Sequence, residues 1–105
     1  MAATPAPRRA VRLAELRTHR GQIQAVADRY GIHNVRVFGS VARDTATADS
    51  DIDLLVDVQS GRGYLDLAGF ALDVEDLLGV FTQVATPNGL NPRLRARILA
   101  EAVPL

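Results

Sequence analysis

Apolar positions recur at helical spacing over residues 10–30, where Leu13, Leu16, Ile23, Ala27 and Tyr30 are separated by polar stretches containing Arg12, Arg17 and Arg29. The spacing predicts an amphipathic helix closed by Gly31. Gly21 lies inside it and costs up to ~1 kcal/mol relative to Ala, so a kink or break would fall there. The period then shortens. Val35-Arg36-Val37-Phe38 is a β-branched and aromatic run that stops at Gly39-Ser40, and residues 51–58 form a second run rich in Ile, Leu and Val. Both read as strands. Residues 41–50 between them are turn formers and polar clusters, with one helical turn at the start.

After a two-glycine loop over residues 59–63, Leu67, Ala71, Val74 and Leu78 follow one another at steps of four, three and four. They predict a helix over residues 64–78, closed by Gly79. Residues 80–85 read as a third short strand. Asn91 is placed to cap a last helix, with Pro92 at its first position and Leu94, Ile98 and Leu99 on its apolar face. The order α-β-(short α)-β-α-β-α predicts an α/β (α+β) fold, a small three-stranded sheet covered by helices.

With 105 residues, 48% of them hydrophobic, the chain suits one domain over residues 10–105. The Ala/Pro/Arg-rich start, residues 1–9, reads as disordered. Cysteine is absent, which excludes a disulfide scaffold, a thiolate metal site and a Cys nucleophile. No run approaches the ~18 apolar residues of a membrane span, so a cytoplasmic protein is expected. Net charge is zero, against a dedicated nucleic-acid binder. The charges are nevertheless segregated. Residues 1–43 carry eight Arg against Glu15 and Asp28 (+6), residues 44–76 nine acids against Arg62 (−8), and residues 77–105 three Arg against Glu101 (+2). All twelve basic residues are Arg, whose planar fork suits phosphate and carboxylate.

The acidic middle contains Asp51-Ile52-Asp53 on the second strand. Alternation points both carboxylates to one face, about 7 Å apart, while Ile52 and Leu54 point to the other. Two ionised carboxylates beside an apolar strand call for a cation, and hard oxygen donors with no His or Cys nearby favour Mg²⁺ or Mn²⁺. Gly39-Ser40 lies where backbone N–H groups at the start of a helical turn face outward, a cradle for phosphate. If the first two strands are antiparallel neighbours, Ser40 comes close to Asp51 and Asp53, the arrangement a metal-bound nucleoside triphosphate requires. Taken singly, Gly-Ser after a strand is a turn and Asp-x-Asp a solvated strand end.

The segment Gly39-Ser40-Val41-Ala42-Arg43, followed by Asp51-Ile52-Asp53-Leu54-Leu55-Val56, resembles the signature of the minimal nucleotidyltransferases of the DNA polymerase β-like superfamily. The resemblance continues through Leu77-Leu78-Gly79, Thr86-Pro87, Pro92-Arg93-Leu94-Arg95 and Glu101-Ala102-Val103-Pro104. It implies a mixed sheet of the polymerase β-like fold, with Gly39 and Ser40 holding the triphosphate of a nucleotide, ATP first, and Asp51 and Asp53 as catalytic Mg²⁺ ligands; Arg43 reads as a nucleotide-binding contact to a phosphate, a contact to the partner, or a plain surface residue. It also implies an antitoxin that transfers a nucleoside monophosphate, AMP foremost, to a hydroxyl of a HEPN-domain ribonuclease toxin. A homo- or hetero-oligomer is compatible; no membrane or direct nucleic-acid contact is implied.

Two departures stand out. The family's third carboxylate precedes the Thr-Pro, and that position holds Gln83, an amide that can neither take the acceptor's proton nor ligate Mg²⁺ as a carboxylate does. Asp44 follows Arg43 where the family often has Gly. Asp57 shares the parity of the aspartate pair but lies ~13 Å from Asp51 along the strand; Asp44 and Asp49 sit in the loop before it. Asp66, Asp73, Glu75 and Asp76 read as a solvated helix face, as do Arg93 and Arg97 on the last helix. His19 and His33 lack ligand spacing, and Tyr30 and Tyr64 read as packing residues. Two functions remain open: an active transferase, or an impaired one that neutralises its partner by binding alone. A small-molecule transferase fits less well, since the chain has no substrate domain.

Overall fold

The computed structural model describes residues 10–105, so the expectation of disorder over residues 1–9 lies outside the described residues. The first amphipathic stretch folds as two helices, α1 (Leu13–Thr18) and α2 (Arg20–Tyr30). The break falls at His19 and not at Gly21, which stays helical. Thr18 Oγ1 turns back onto the Glu15 carbonyl at 2.6 Å, and local side-chain bonding of this kind competes with helix continuation. Gly31, in the left-handed region, ends α2 as expected.

Strand β1 (Ile32–Phe38) leads into the one-turn helix α3 (Gly39–Ala42), and β2 (Ile52–Val58) follows. Helix α4 (Tyr64–Leu78) has the predicted bounds. The Asp66 carboxylate accepts the Gly63 N–H at 3.0 Å at its start. After β3 (Thr82–Ala85) and a 3₁₀ turn (Pro87–Gly89) comes α5 (Pro92–Glu101), capped by Asn91 through its side-chain oxygen and the Arg93 N–H, 3.0 Å apart.

The sheet has four strands, not the three expected, because Val103–Pro104 forms a fourth, β4. Two residues fall below any periodicity signal, and Pro is tolerated there because β4 is an edge. The order is β3-β2-β1-β4, with β2 antiparallel to β1, parallel to β3, and β1 antiparallel to β4, so the sheet is mixed. Ile52, Leu54 and Val56 of β2 are fully buried in one cluster with Val37, Leu16, Ile23, Phe70 and Val74. That face of β2 is the core. The opposite parity carries Asp53, Leu55 and Asp57, and there the site lies.

Candidate active site

The antiparallel register of β1 and β2 sets Phe38 opposite Asp53, so the chain leaves β1 beside the carboxylate pair. Gly39 then takes a φ of +73°, and a Cβ built on it would stand 2.2 Å from Asp53 Oδ2. Only glycine fits on both counts. Ser40 is the next residue of α3, whose turn closes with Arg43 N–H donating to the Gly39 carbonyl at 3.1 Å. Gly39, Ser40, Asp51 and Asp53 are thus brought to one end of the sheet, as the sequence suggested.

On the other side of Asp53, the parallel register pairs it with Gln83 of β3. The Gln83 amide Nε2 donates to Asp51 Oδ2 at 3.2 Å. Gln83 therefore faces the aspartate pair as a neutral donor. Among the described residues no three His, Asp or Glu side chains converge as a metal-binding group.

Glu101, the last residue of α5, is the member that sequence reasoning missed. Its Oε2 accepts the Gly39 N–H at 3.3 Å, and its Oε1 pairs with the Arg43 guanidinium. The placement follows from β4: Val37 pairs with Val103, so Glu101, two residues before Val103, meets Gly39, two residues after Val37. A signal existed in the short Val103-Pro104 edge strand, but only knowledge of its partner strand makes it readable.

Asp53 is half-buried, and its carboxyl is pushed above its ordinary value of 3.8. Burial is the largest cause, the Asp51 charge adds to it, Arg43 opposes it, and Glu101 raises it further. Three carboxylates, Asp51, Asp53 and Glu101, stand against the single guanidinium of Arg43, a formal −2. Of these, Asp51 and Asp53 are the pair of hard oxygen donors that suits a divalent cation such as Mg²⁺ or Mn²⁺, whereas Glu101 is engaged by Gly39 and Arg43.

The remaining candidates sit elsewhere. Asp57 lies at the far end of β2 opposite His33 and is held by Asn34 Nδ2 at 2.9 Å and Arg36 Nη2 at 3.0 Å. Asp44 pairs with Arg12 at 3.4 Å and has a φ of +59°, which explains why glycine would suit that position. Asp49 is exposed in the loop before β2. The acids of α4 are more engaged than a solvated face implies: Asp73 accepts from Tyr30 Oη at 2.8 Å and Arg29 at 3.2 Å, and Glu75 accepts the Thr82 N–H at 3.1 Å. Arg93 and Arg97 are exposed on α5, while Arg95 donates to the Pro87 carbonyl at 2.9 Å. Tyr30 packs against Gly69, whereas Tyr64 is exposed. Among the described residues no helix is long and apolar enough to cross a membrane.

Comparison with known proteins gives the family to which this fold belongs. A solved structure described as a minimal nucleotidyltransferase superposes with a TM-score of 0.79 at 47% identity, over 90% of this chain and 97% of that one. A provisionally named protein adenylyltransferase of Methanocaldococcus jannaschii is 40% identical over 75 residues, covering 71% of this chain and 81% of the relative. The protein adenylyltransferase MntA of Thermococcus cleftensis is 32% identical over 76 residues, 72% of this chain and 77% of its own. A toxin–antitoxin crystal structure with AMP-PNP shares the fold, with a TM-score of 0.67 at 15% identity over 80% of this chain and 69% of that one. The nucleotidyltransferase domain family matches residues 19–105, which hold every strand of the sheet and every residue of the site, and the chain belongs to that family.

Proposed function

We propose that this chain is an antitoxin-type minimal nucleotidyltransferase. It binds a Mg²⁺-bound nucleoside triphosphate and transfers the nucleoside monophosphate, AMP by preference, to a hydroxyl of a HEPN-type ribonuclease toxin. The carrying observation is the contact between Gly39 and Asp53, which sets a backbone turn fit for phosphate directly against the carboxylate pair. Support for the nucleotide comes from the AMP-PNP in the structural neighbour, and for a toxin partner from that neighbour's toxin–antitoxin pairing. The relatives' adenylyltransferase names support AMP.

In this reading Gly39 and Ser40 hold the triphosphate, Arg43 contacts a phosphate, and Asp51 and Asp53 hold the metal. The metal, when bound, neutralises phosphate charge and polarises the phosphoryl group. Asp51, just before β2, and Asp53 within it bring two carboxylates to the end of the sheet where the phosphoryl group would be held. The acceptor hydroxyl is brought by the partner. Its oxygen attacks phosphorus, pyrophosphate leaves, and the hydroxyl proton passes to solvent, since Gln83 cannot accept it.

A second reading is favoured by the bond from Gln83 to Asp51, in which an amide stands where the family resemblance expects a carboxylate. The protein would then neutralise its partner by binding alone. Incubation with labelled ATP, Mg²⁺ and a candidate HEPN-type toxin, taken from the product of the neighbouring gene, separates the two. Label on the toxin that disappears with Asp53→Asn supports transfer. Tight neutralisation without label, indifferent to Asp51→Asn and Asp53→Asn, supports binding alone.

A further inference from the structure

Glu101 occupies groups that the proposed chemistry assigns to the substrate. Its side chain is only 16% exposed, and its two oxygens take the Gly39 N–H and the Arg43 guanidinium. In the reading above, which this inference rests on, those same donors bind phosphate oxygens. A carboxylate and a phosphate compete for them on equal chemical terms, because the planar guanidinium fork accepts either anion.

Nor does Glu101 replace the missing third carboxylate. It reaches Gly39 from the β1–β4 side of the sheet, whereas Gln83 stands on β3, across Asp53. Its position is on the phosphate side of the aspartate pair.

We propose that Glu101 is a resident competitor for the nucleotide's phosphates, holding Arg43 and the Gly39 amide until a triphosphate displaces it. With Asp51 and Asp53 it also makes the site a charge filter. A fully ionised triphosphate meets three carboxylates and one guanidinium, whereas its metal complex arrives partly neutralised. Displacement therefore favours the metal complex over the free nucleotide.

The test is calorimetric titration of the full chain with AMP-PNP, once with Mg²⁺ and once with EDTA. Glu101→Gln keeps the size and an acceptor for Gly39 but removes the charge. It is expected to bind Mg²⁺–AMP-PNP about five-fold more tightly than the wild type and to gain more in EDTA. A merely structural Glu101 predicts the opposite sign, so weaker or unchanged affinity overturns the proposal. If that variant does not fold, Glu101→Asp, which withdraws the carboxylate by one methylene, must also tighten binding, by a smaller factor; no gain overturns it. If neither wild type nor variant binds, or if binding ignores Asp53→Asn, the nucleotide reading falls and takes this inference with it. Binding that needs Asp53 but does not tighten in Glu101→Gln defeats the inference alone.

Discussion

The two flanks of Asp53 differ in a way that sorts the proposed chemistry. On the β1 flank stand Gly39, Arg43 and Glu101, packed closely enough that one added methyl on Gly39 would collide with the carboxylate. On the β3 flank stands Gln83, neutral and bonded to Asp51. Charge is retained where a polyphosphate would lie and absent where an attacking hydroxyl would shed its proton. Binding and proton transfer are separable demands, so a site can keep the first and weaken the second.

The largest expected effect comes from equalising the flanks. Gln83→Asp places a third carboxylate beside Asp51 and Asp53. It should raise the rate of nucleotide transfer to the proposed acceptor by roughly 10²–10⁴-fold, the usual contribution of a general base. It should also lower the metal-free melting temperature through like-charge repulsion, with Mg²⁺ restoring it. An unchanged rate in labelled-ATP assays would show that the β3 flank does not face the acceptor.

Removing the residue that the flanks share comes next. Asp53→Asn is expected to lower transfer by about 10²–10³-fold, the scale of a lost electrostatic stabiliser, and to abolish Mg²⁺-dependent protection of the protein by nucleotide. Wild-type melting shifts with Mg²⁺–AMP-PNP in this variant would break the comparison, because both flanks are defined by that carboxylate.

The β3-side asymmetry was legible in the chain, and the β1-side one only in part. Alternation in Asp51-Ile52-Asp53-Leu54 suffices to put the acids on one face and the apolar residues in the core, and the bounds of α4 follow from an unbroken apolar stripe. Gly39 is legible as the end of a strand. Glu101 was not, because its role depends on a two-residue edge strand and a pairing across 66 positions, Val37 with Val103. Periodicity reports which face a side chain occupies, not which distant strand it meets. The break at His19 was invisible for a related reason, since the apolar spacing runs through it unchanged and the glycine two residues on stays helical.

Gly39→Ala probes the crowding itself. The positive φ and the 2.2 Å approach to Asp53 Oδ2 should together destabilise the fold by about 1–3 kcal/mol in urea unfolding. Combining it with Asp53→Asn leaves the backbone strain and changes the charge, so the loss should persist. Recovery in the double variant would mean that the methyl acts by desolvating the carboxylate, and not by clash and backbone strain.

The smallest effect is a pH dependence with a fixed sign. Burial, Asp51 and Glu101 raise the Asp53 carboxyl above 3.8, so the folded chain holds this proton to higher pH than the unfolded chain does. Stability from this group is then greatest below 3.8 and is lost as pH rises through the folded value. Asp66 does the reverse: the Gly63 N–H and Arg62 lower its carboxyl, so its contribution is present above 3.8 and lost as pH falls through its folded value. The two windows lie on opposite sides of 3.8 and can be read separately. Without metal, Asp53→Asn should melt at the same temperature as the wild type below that pH and higher at neutral pH. Solvent screening of the half-exposed carboxylate keeps the gap below about 1 kcal/mol. Mg²⁺ binds the ionised pair and should close the gap by stabilising only the wild type. Parallel pH profiles for the two proteins would mean that Asp53 is solvated like an ordinary surface acid, and the contrast between its flanks would lose its electrostatic basis.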